Sequence, residues 1–261
     1  MDLRQSFGAV EASLDGDGVG RILLNRPERM NALTLAMMND IRHALAWTGA
    51  QEACRVIVLA GAGRAFSAGM DLVEGLAPEV GDPVHVHYRA LRAGPDMILA
   101  VTEAEQPVIA AVQGVAVGAG FALAAAADLR ICGPAARFDA PFHKLGASAG
   151  DLGLSWRLPR LIGPGRAARL FFTNGSLSTE EALAQGFAAA VEPDPLEAAL
   201  NLAREIAAQP LLGVRMTKEL LNASMDSAGF RSHLALEMRS QVIALGTRDH
   251  AEAVAAFRKR R

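Results

Sequence analysis

Two glycine-rich stretches, each directly after a short apolar run, are where this 261-residue chain could most readily do chemistry with its backbone. The first is Ala65-Phe66-Ser67-Ala68-Gly69-Met70-Asp71-Leu72. The second is Gly114-Val115-Ala116-Val117-Gly118-Ala119-Gly120. Small residues let a ligand approach the main chain, and tight turns leave amide N–H groups without partners. An N–H at a helix start is further polarised toward an anion by the helix dipole. Two such groups aimed at one point would make an oxyanion hole, which stabilises charge developing on a carbonyl oxygen. Plain close packing of glycine turns uses the same composition, so both readings stand at this level.

Two other patterns compete. Gly146-Ala147-Ser148-Ala149-Gly150 fits G-x-S-x-G, the nucleophile elbow of serine hydrolases, with His233 and His250 as formal partners. That elbow needs a strand before it and a helix after it. The preceding APFHKL is a poor buried strand, and the following DLGLSWRLP is interrupted by glycine and expected to end at Pro159. Gly118-x-Gly120 after a strand faintly resembles a dinucleotide turn, but position 123 is leucine where G-x-G-x-x-G needs glycine. Both patterns are disfavoured.

The elements that must position these turns can be placed coarsely. Val10–Leu14 and Val19–Leu24 flank Asp15-Gly16-Asp17-Gly18 and predict a β-hairpin. Thr34 is a candidate N-cap for a helix with Met37, Met38, Ile41 and Leu45 on one face. Val56–Ala60, Val108–Val112 and Leu129–Cys132 read as buried strands, the second leading into a helix near Gly120–Ala127. Because they are apolar throughout, they imply a sheet covered on both faces. Residues from about 84 to 104 read as helical, with a break or kink at Pro95. Ser178-Thr179-Glu180-Glu181 predicts a capping box for a helix stopping at Gly186. From Pro195 onward only helices are expected: Leu196–Ala208, Leu211–Met225, Phe230–Leu245 and Ala251–Arg258. The fold class is therefore α/β, divided into a core of residues 1–195 and a helical region of residues 196–261.

Composition narrows the partners. A net charge of −2 gives no electrostatic case for nucleic acid or membrane binding, apart from the basic end Arg258–Arg261, which also suits a solvated tail. Cys54 and Cys132 are too far apart for a C-x-x-C site, so free thiols in the cytoplasm are expected, without a metal. The apolar run from Pro107 to Ala127 is long enough to suggest a membrane span. Gln113 and the glycines at 114, 118 and 120 break it up, and a strand, a turn and a buried helix explain it better.

RPERMNAL, AFSAGMDL and PVIAAVQGVAVGAG, in this order and spacing, resemble the signature segments of the enoyl-CoA hydratase/isomerase (crotonase) superfamily. GDLGLSWRLPRLIG, LSTEEALAQGFAAAV and the ending DHAEAVAAFRKRR extend the likeness over nearly the whole chain. The resemblance implies a spiral of ββα repeats and a C-terminal helical region that forms trimers or dimers of trimers. It implies an acyl-CoA substrate, with coenzyme A part of the substrate and no separate cofactor. It implies that the backbone N–H groups of Met70 and Ala119 stabilise an enolate. It places substrate contacts at Arg29, Met30, Ala32, Ala68, Gly69, Asp71, Leu72, Gly118, Pro141 and Phe142.

The chain departs from the family where hydratases carry two glutamates, since Ala122 and Phe142 stand there and neither transfers a proton. Asp151, near the place of an acid/base aspartate in family isomerases, is the best remaining acid, with a turn or helix-cap aspartate as the alternative. Asp71 and Asp128 also read as structural caps or ion pairs, and His143 and Lys144 as surface residues. The expected activity is hydration or double-bond isomerisation, the alternative a non-catalytic acyl-CoA-binding protein.

Overall fold

Strict alternation of facing side chains explains the apolar strands. In the computed structural model, which describes residues 2–74, 91–227 and 229–259, seven strands form one sheet. They are β1 (Leu3–Phe7), β2 (Val10–Leu14), β3 (Val19–Leu24), β4 (Val56–Gly61), β5 (Val108–Val112), β7 (Leu129–Cys132) and β10 (Ala190–Val191), ordered β1-β2-β3-β4-β5-β7-β10. The first three pair antiparallel, and the rest run parallel from β3 onward. The Asp15–Gly18 turn sets the expected hairpin, with Asp15 Oδ1 accepting from the N–H groups of Asp17 and Val19. In β4, Ile57 and Leu59 join one core cluster while Val56, Val58 and Ala60 join another on the opposite face. Two covered faces leave no polar side to the strand.

Helices α1 (Leu35–Gly49), α2 (Ala93–Thr102) and α3 (Ala119–Ala126) contribute to the first cluster. Thr34 caps α1, its hydroxyl accepting from Met37 N–H at 3.0 Å, and Met37, Met38, Ile41 and Leu45 are buried. Pro95 lies in the first turn of α2, where a missing N–H costs least. The earlier part of the helix expected from residue 84 lies outside the described residues. The apolar run from Pro107 divides into β5, β6 (Val115–Val117) and α3, and no helix among the described residues is long and apolar enough to cross a membrane.

A second layer gives the spiral. β6 pairs parallel with β8 (Arg137–Asp139), which pairs antiparallel with β9 (Ser176–Ser178). Two single bridges extend the layer, Ser67 to Ala116 and Leu33 to Met70. A long strand thus leads to a short one stacked on its neighbours, and in the β5-β6-α3 unit the short strand feeds a helix directly. This is the expected ββα winding.

The remaining helices are α4 (Leu154–Ile162), α5 (Pro164–Phe172), α6 (Thr179–Ala184), α7 (Pro195–Ala207), α8 (Leu211–Asp226), α9 (Phe230–Leu245) and α10 (Arg248–Lys259). The capping box at Ser178 forms, with Ser178 and Glu181 each bonding the other's backbone. Pro159 does not end α4. Leu154, Leu158 and Ile162 recur every fourth residue on a buried face that holds the helix through the proline. The carbonyl that Pro159 leaves unpaired belongs to exposed Ser155, which is open to solvent. The expected division at 195/196 falls at the start of α7. Ala199, Ala203 and Ala207 of that helix pack on Val56, Val58 and Ile109 and complete the second face of the sheet.

Beyond α7 the chain leaves the core. α8 is tied down by Lys218, whose Nζ pairs with Asp128 at 2.8 Å and donates to Gln106 O at 2.9 Å. Ser240 is the only residue of α9 that is buried, while Phe230, Met238 and Val242 are 77%, 63% and 67% exposed. The apolar face of α9 is therefore largely exposed in the single chain, while α8 is half-buried. The Phe257 side chain and residues 260–261 lie outside the described residues.

Candidate active site

The loop from Arg26 to Leu33 and the turn from Ser67 to Asp71 are zipped together. Ala68 N–H donates to Met30 O at 2.8 Å, Leu33 N–H to Gly69 O at 2.7 Å, and Asp71 N–H to Leu33 O at 3.0 Å. This pattern uses the N–H groups of Ala68 and Asp71 and the Gly69 carbonyl, and leaves the N–H of Met70 on the other edge. Among the described residues, Met70 N–H finds no acceptor. Ala119 N–H, at the first position of α3, finds none either. Gly118 before it holds φ +50°, ψ −108°, a region that penalises any Cβ, and its own N–H is engaged by Asp139 O at 2.9 Å.

Gly69 brings the two turns together. At φ +84°, a Cβ on this residue would strike the Val117 carbonyl oxygen and lie 3.5 Å from Ala119 N. Only glycine allows the Met70 turn to lie flat against the start of α3. Two N–H groups without an acceptor among the described residues, one carrying the helix dipole, thus lie on adjoining turns. Such a pair can receive a carbonyl oxygen and stabilise negative charge on it.

The surroundings are apolar. Ala122 is buried one turn along α3, and Phe142 is buried in the 3-10 turn Phe142–Leu145 that follows Pro141. A Cβ on Gly118 would be 3.9 Å from Phe142 Cε1, so this ring stands beside the Ala119 turn. Ala119, Ala122, Phe142 and Ala149 belong to one apolar cluster, with Met70 and Leu152 packed on it. His143 and Lys144, beside Phe142, are exposed.

Asp151 sits at the edge of this cluster. Leu152 and Gly153 both take left-handed φ, +48° and +73°, a strained turn for leucine. The turn directs Leu152 inward against Gly94, where there is no room for a Cβ. Asp151 Oδ1 accepts from Leu152 N–H at 2.9 Å, and its backbone oxygen accepts from Leu154 N–H. Although the residue is exposed, partial burial pushes its carboxyl above the ordinary carboxylate value, against the opposing Leu152 hydrogen bond.

Asp71 has a different environment. Its side chain is almost fully buried and pairs with Arg26 at 3.2 Å and Arg29 at 3.4 Å. It also accepts from Val73 and Glu74 N–H groups. Burial works to raise this carboxyl, but those N–H groups and the two guanidinium groups outweigh it and hold it below the ordinary value. Leu72 is exposed beside it. Arg26, Asn31 and Ser67 lie within the quoted sequence segments, but the sequence assigned none of them a role of its own. Asn31 is fully buried at φ +54°, and Arg26 Nη1 also donates to Ala32 O at 2.9 Å. An asparagine between the Arg26-Pro27 turn and the apolar Ala32-Leu33 was the available signal. Among the described residues, no three His, Cys, Asp or Glu side chains gather to hold a metal. Ser148 follows a 3-10 turn, not a strand, so the hydrolase elbow is absent.

The sequence model of the enoyl-CoA hydratase/isomerase family matches residues 15–261. The chain belongs to the enoyl-CoA hydratase/isomerase family. It is 38% identical over 249 residues to a probable enoyl-CoA hydratase of Mycobacterium bovis, covering 93% of this chain and 87% of that protein. It is 35% identical to the 1,2-epoxyphenylacetyl-CoA isomerase of Escherichia coli, covering 94% and 93%. A Streptomyces coelicolor crystal structure assigned as an enoyl-CoA hydratase superposes with a TM-score of 0.90 at 35% identity, covering 98% and 93%. The architecture is accordingly the crotonase fold, and the family acts on acyl-CoA thioesters.

Proposed function

We propose that this family member is an acyl-CoA isomerase that moves a double bond through an enolate, in preference to adding water. The observation that carries this reading is the pair of unpartnered N–H groups of Met70 and Ala119 on adjoining turns. The thioester oxygen would sit between them, and the negative charge formed when a proton leaves carbon would rest there. Asp151 would take that proton as carboxylate and return it to another carbon of the same chain. No atom is gained or lost, so one carboxyl suffices. Hydration in the usual form needs two groups to manage a water, and the two family positions hold buried Ala122 and Phe142. Pro141 and Gly118 with Phe142 would line the acyl side. Arg29, Met30, Ala32, Ala68, Gly69, Asp71 and Leu72 would lie along coenzyme A, which enters as part of the substrate with no further cofactor.

Assembly fits the same proposal. The helical region 196–261, chiefly the exposed apolar faces of α8 and α9, would join subunits into a trimer or a dimer of trimers. Buried free Cys54 and Cys132 favour the cytoplasm.

A second reading has its own support. With both glutamate positions apolar, the same cradle could hold an acyl-CoA without turning it over. A panel of enoyl- and dienoyl-CoA esters, followed for bond migration and for hydration, with calorimetry alongside, separates the two. Bond migration that Asp151→Asn abolishes supports the isomerase. Tight binding with no conversion at any chain length supports the binder. Efficient hydration by the wild type would refute the one-carboxyl argument.

A further inference from the structure

The spacing of the Met70 and Ala119 N–H groups depends on residues that belong to neither turn's tip. Ser67 is fully buried where three segments cross. Its N–H donates to Val115 O at 3.1 Å, and its carbonyl accepts from Val117 N–H at 2.9 Å. These bonds fix it to the strand that leads into Ala119. Its hydroxyl donates to Asn31 O at 2.8 Å and accepts from Gly69 N–H at 3.2 Å, one residue before Met70. Asn31 is itself immobilised. Its Oδ1 accepts from Arg26 N–H at 2.9 Å, and its Nδ2 donates to Ala62 O and Ala65 O. From the other side, Gly120 in the first turn of α3 lies flush on Ser67, since a Cβ there would be 2.7 Å from Ser67 Cβ and 2.7 Å from its carbonyl oxygen.

One residue therefore touches the supports of both donors. Its backbone and the Gly120 contact set where α3 begins. Its hydroxyl sets where the Ala68–Gly69 peptide lies, directly before the peptide that carries the Met70 N–H. We propose that Ser67 is a positioning residue, which sets the distance between the Met70 and Ala119 N–H groups by holding Gly69 N–H and the Asn31 carbonyl in one hydrogen-bonded chain. This inference rests on reading those two N–H groups as the oxyanion hole. Removing the hydroxyl leaves a buried donor and a buried acceptor unpaired. The Met70 turn then rotates until each finds a partner. A donor displaced by a fraction of an ångström still binds a thioester, but it no longer concentrates on the oxygen as charge develops.

The test uses the carbonyl stretch of carbon-13-labelled crotonyl-CoA and 2-decenoyl-CoA, free and bound, in wild-type protein and Ser67→Ala. Hydrogen bonds to a carbonyl lower its stretching frequency, so the bound wild-type ester should show a downshift from the free ester. Ser67→Ala should lose at least about half of that downshift, while its Kd changes less than about threefold, because ground-state binding is spread over the whole coenzyme A contact. Retention of the full downshift in Ser67→Ala would overturn the inference. So would a tenfold or greater loss of affinity in which the residual bound ester keeps the wild-type frequency, which is the mark of a merely structural role. A wild-type complex with no downshift is a different failure, that of the oxyanion-hole reading itself. If Ser67→Ala does not fold, Ser67→Cys keeps the shape with a weaker donor and acceptor. It should show a smaller loss of the same sign, and an unchanged downshift there also overturns the inference.

Discussion

Replacing Asp71 with asparagine removes the charge of this residue and keeps its shape. Oδ1 accepts from Val73 N–H at 3.0 Å and Glu74 N–H at 3.2 Å and faces Arg29 at 3.4 Å, while Oδ2 meets Arg26 Nη1 at 3.2 Å. An asparagine keeps Oδ1 on the turn and must then present its NH2 to the Arg26 guanidinium. The two turn bonds fall from charge-assisted to neutral, a loss of about 1 kcal/mol each. Arg29 is well exposed and its pair is worth about 0–1 kcal/mol. Arg26, mostly buried, keeps only Ala32 O and the exposed Glu74, which adds about 1 kcal/mol. Relief from burying a carboxylate offsets part of this, leaving about 2–3 kcal/mol of destabilisation at pH 7. The pH dependence follows from the lowered carboxyl of Asp71. Its stabilisation is fully present above the ordinary aspartate value of 3.8 that holds in the unfolded chain, and is lost as pH falls through the lower folded value. Urea unfolding of wild type and Asp71→Asn at several pH values should therefore show the gap at pH 7 narrowing as pH falls below about 4. A gap under about 0.5 kcal/mol at pH 7, or one that is the same at pH 3, would refute the reasoning.

Four further outcomes are expected. Asp151→Asn should lower bond-migration turnover by about 10²-fold or more, and the acid limb of the wild-type profile should lie above the ordinary aspartate value, since burial raises this group. An acid limb at or below that value, or a fully active variant, removes Asp151 from the chemistry. Phe142→Glu alone should not give efficient crotonyl-CoA hydration, because buried Ala122 still lacks the second carboxyl. Burial pushes the thiols of Cys54 and Cys132 up to about 11, so at neutral pH both should resist alkylation in the native protein and react once it is unfolded. Paired Met238→Glu and Val242→Glu changes on α9 should leave helix content intact and shift sedimentation equilibrium from an oligomer toward the 27.4 kDa monomer, and a wild type already at that mass would exclude the assembly.

What could be read from sequence was whatever depends on neighbours in the chain. Thr34 and Ser178 cap helices because the N–H groups they serve lie three residues away. Ile57 and Val58 face opposite layers because a strand alternates, and a run apolar at both phases has to lie between two layers. The glycines at 69 and 118 could be suspected because their neighbours are small. What they are for was not legible, since Gly69 is required by Val117 and Ala119, some fifty residues on. The Asp71–Arg26 pair and the Ser67–Asn31 bond are hidden for the same reason, as each links loops that meet only after the spiral is wound. Pro159 misled in the other direction. Its local tendency to stop a helix was outweighed by the buried row Leu154, Leu158 and Ile162, which no local rule weighs.

The substitutions at positions 122 and 142 show how the two kinds of information combine. Sequence alone says that carboxylates are absent there. Structure adds that both side chains lie inside one apolar cluster that also holds Ala119, the residue bearing one of the two free N–H groups. A free donor pair beside a wall without charge suits a reaction whose only charged intermediate is held on oxygen, because such a wall offers a water molecule neither a base nor an anchor. On the proposed reading the carboxyl of Asp151 would act from the rim, and the strained Leu152 turn, whose N–H bonds Asp151 Oδ1, would present it there. Leu152→Gly would relax that strain, since the left-handed φ of +48° costs glycine nothing, and would also empty the place of Leu152 in the apolar cluster, so turnover should fall more than acyl-CoA affinity does. Measured affinity and rate that fall together would show instead that Leu152 serves only the apolar cluster.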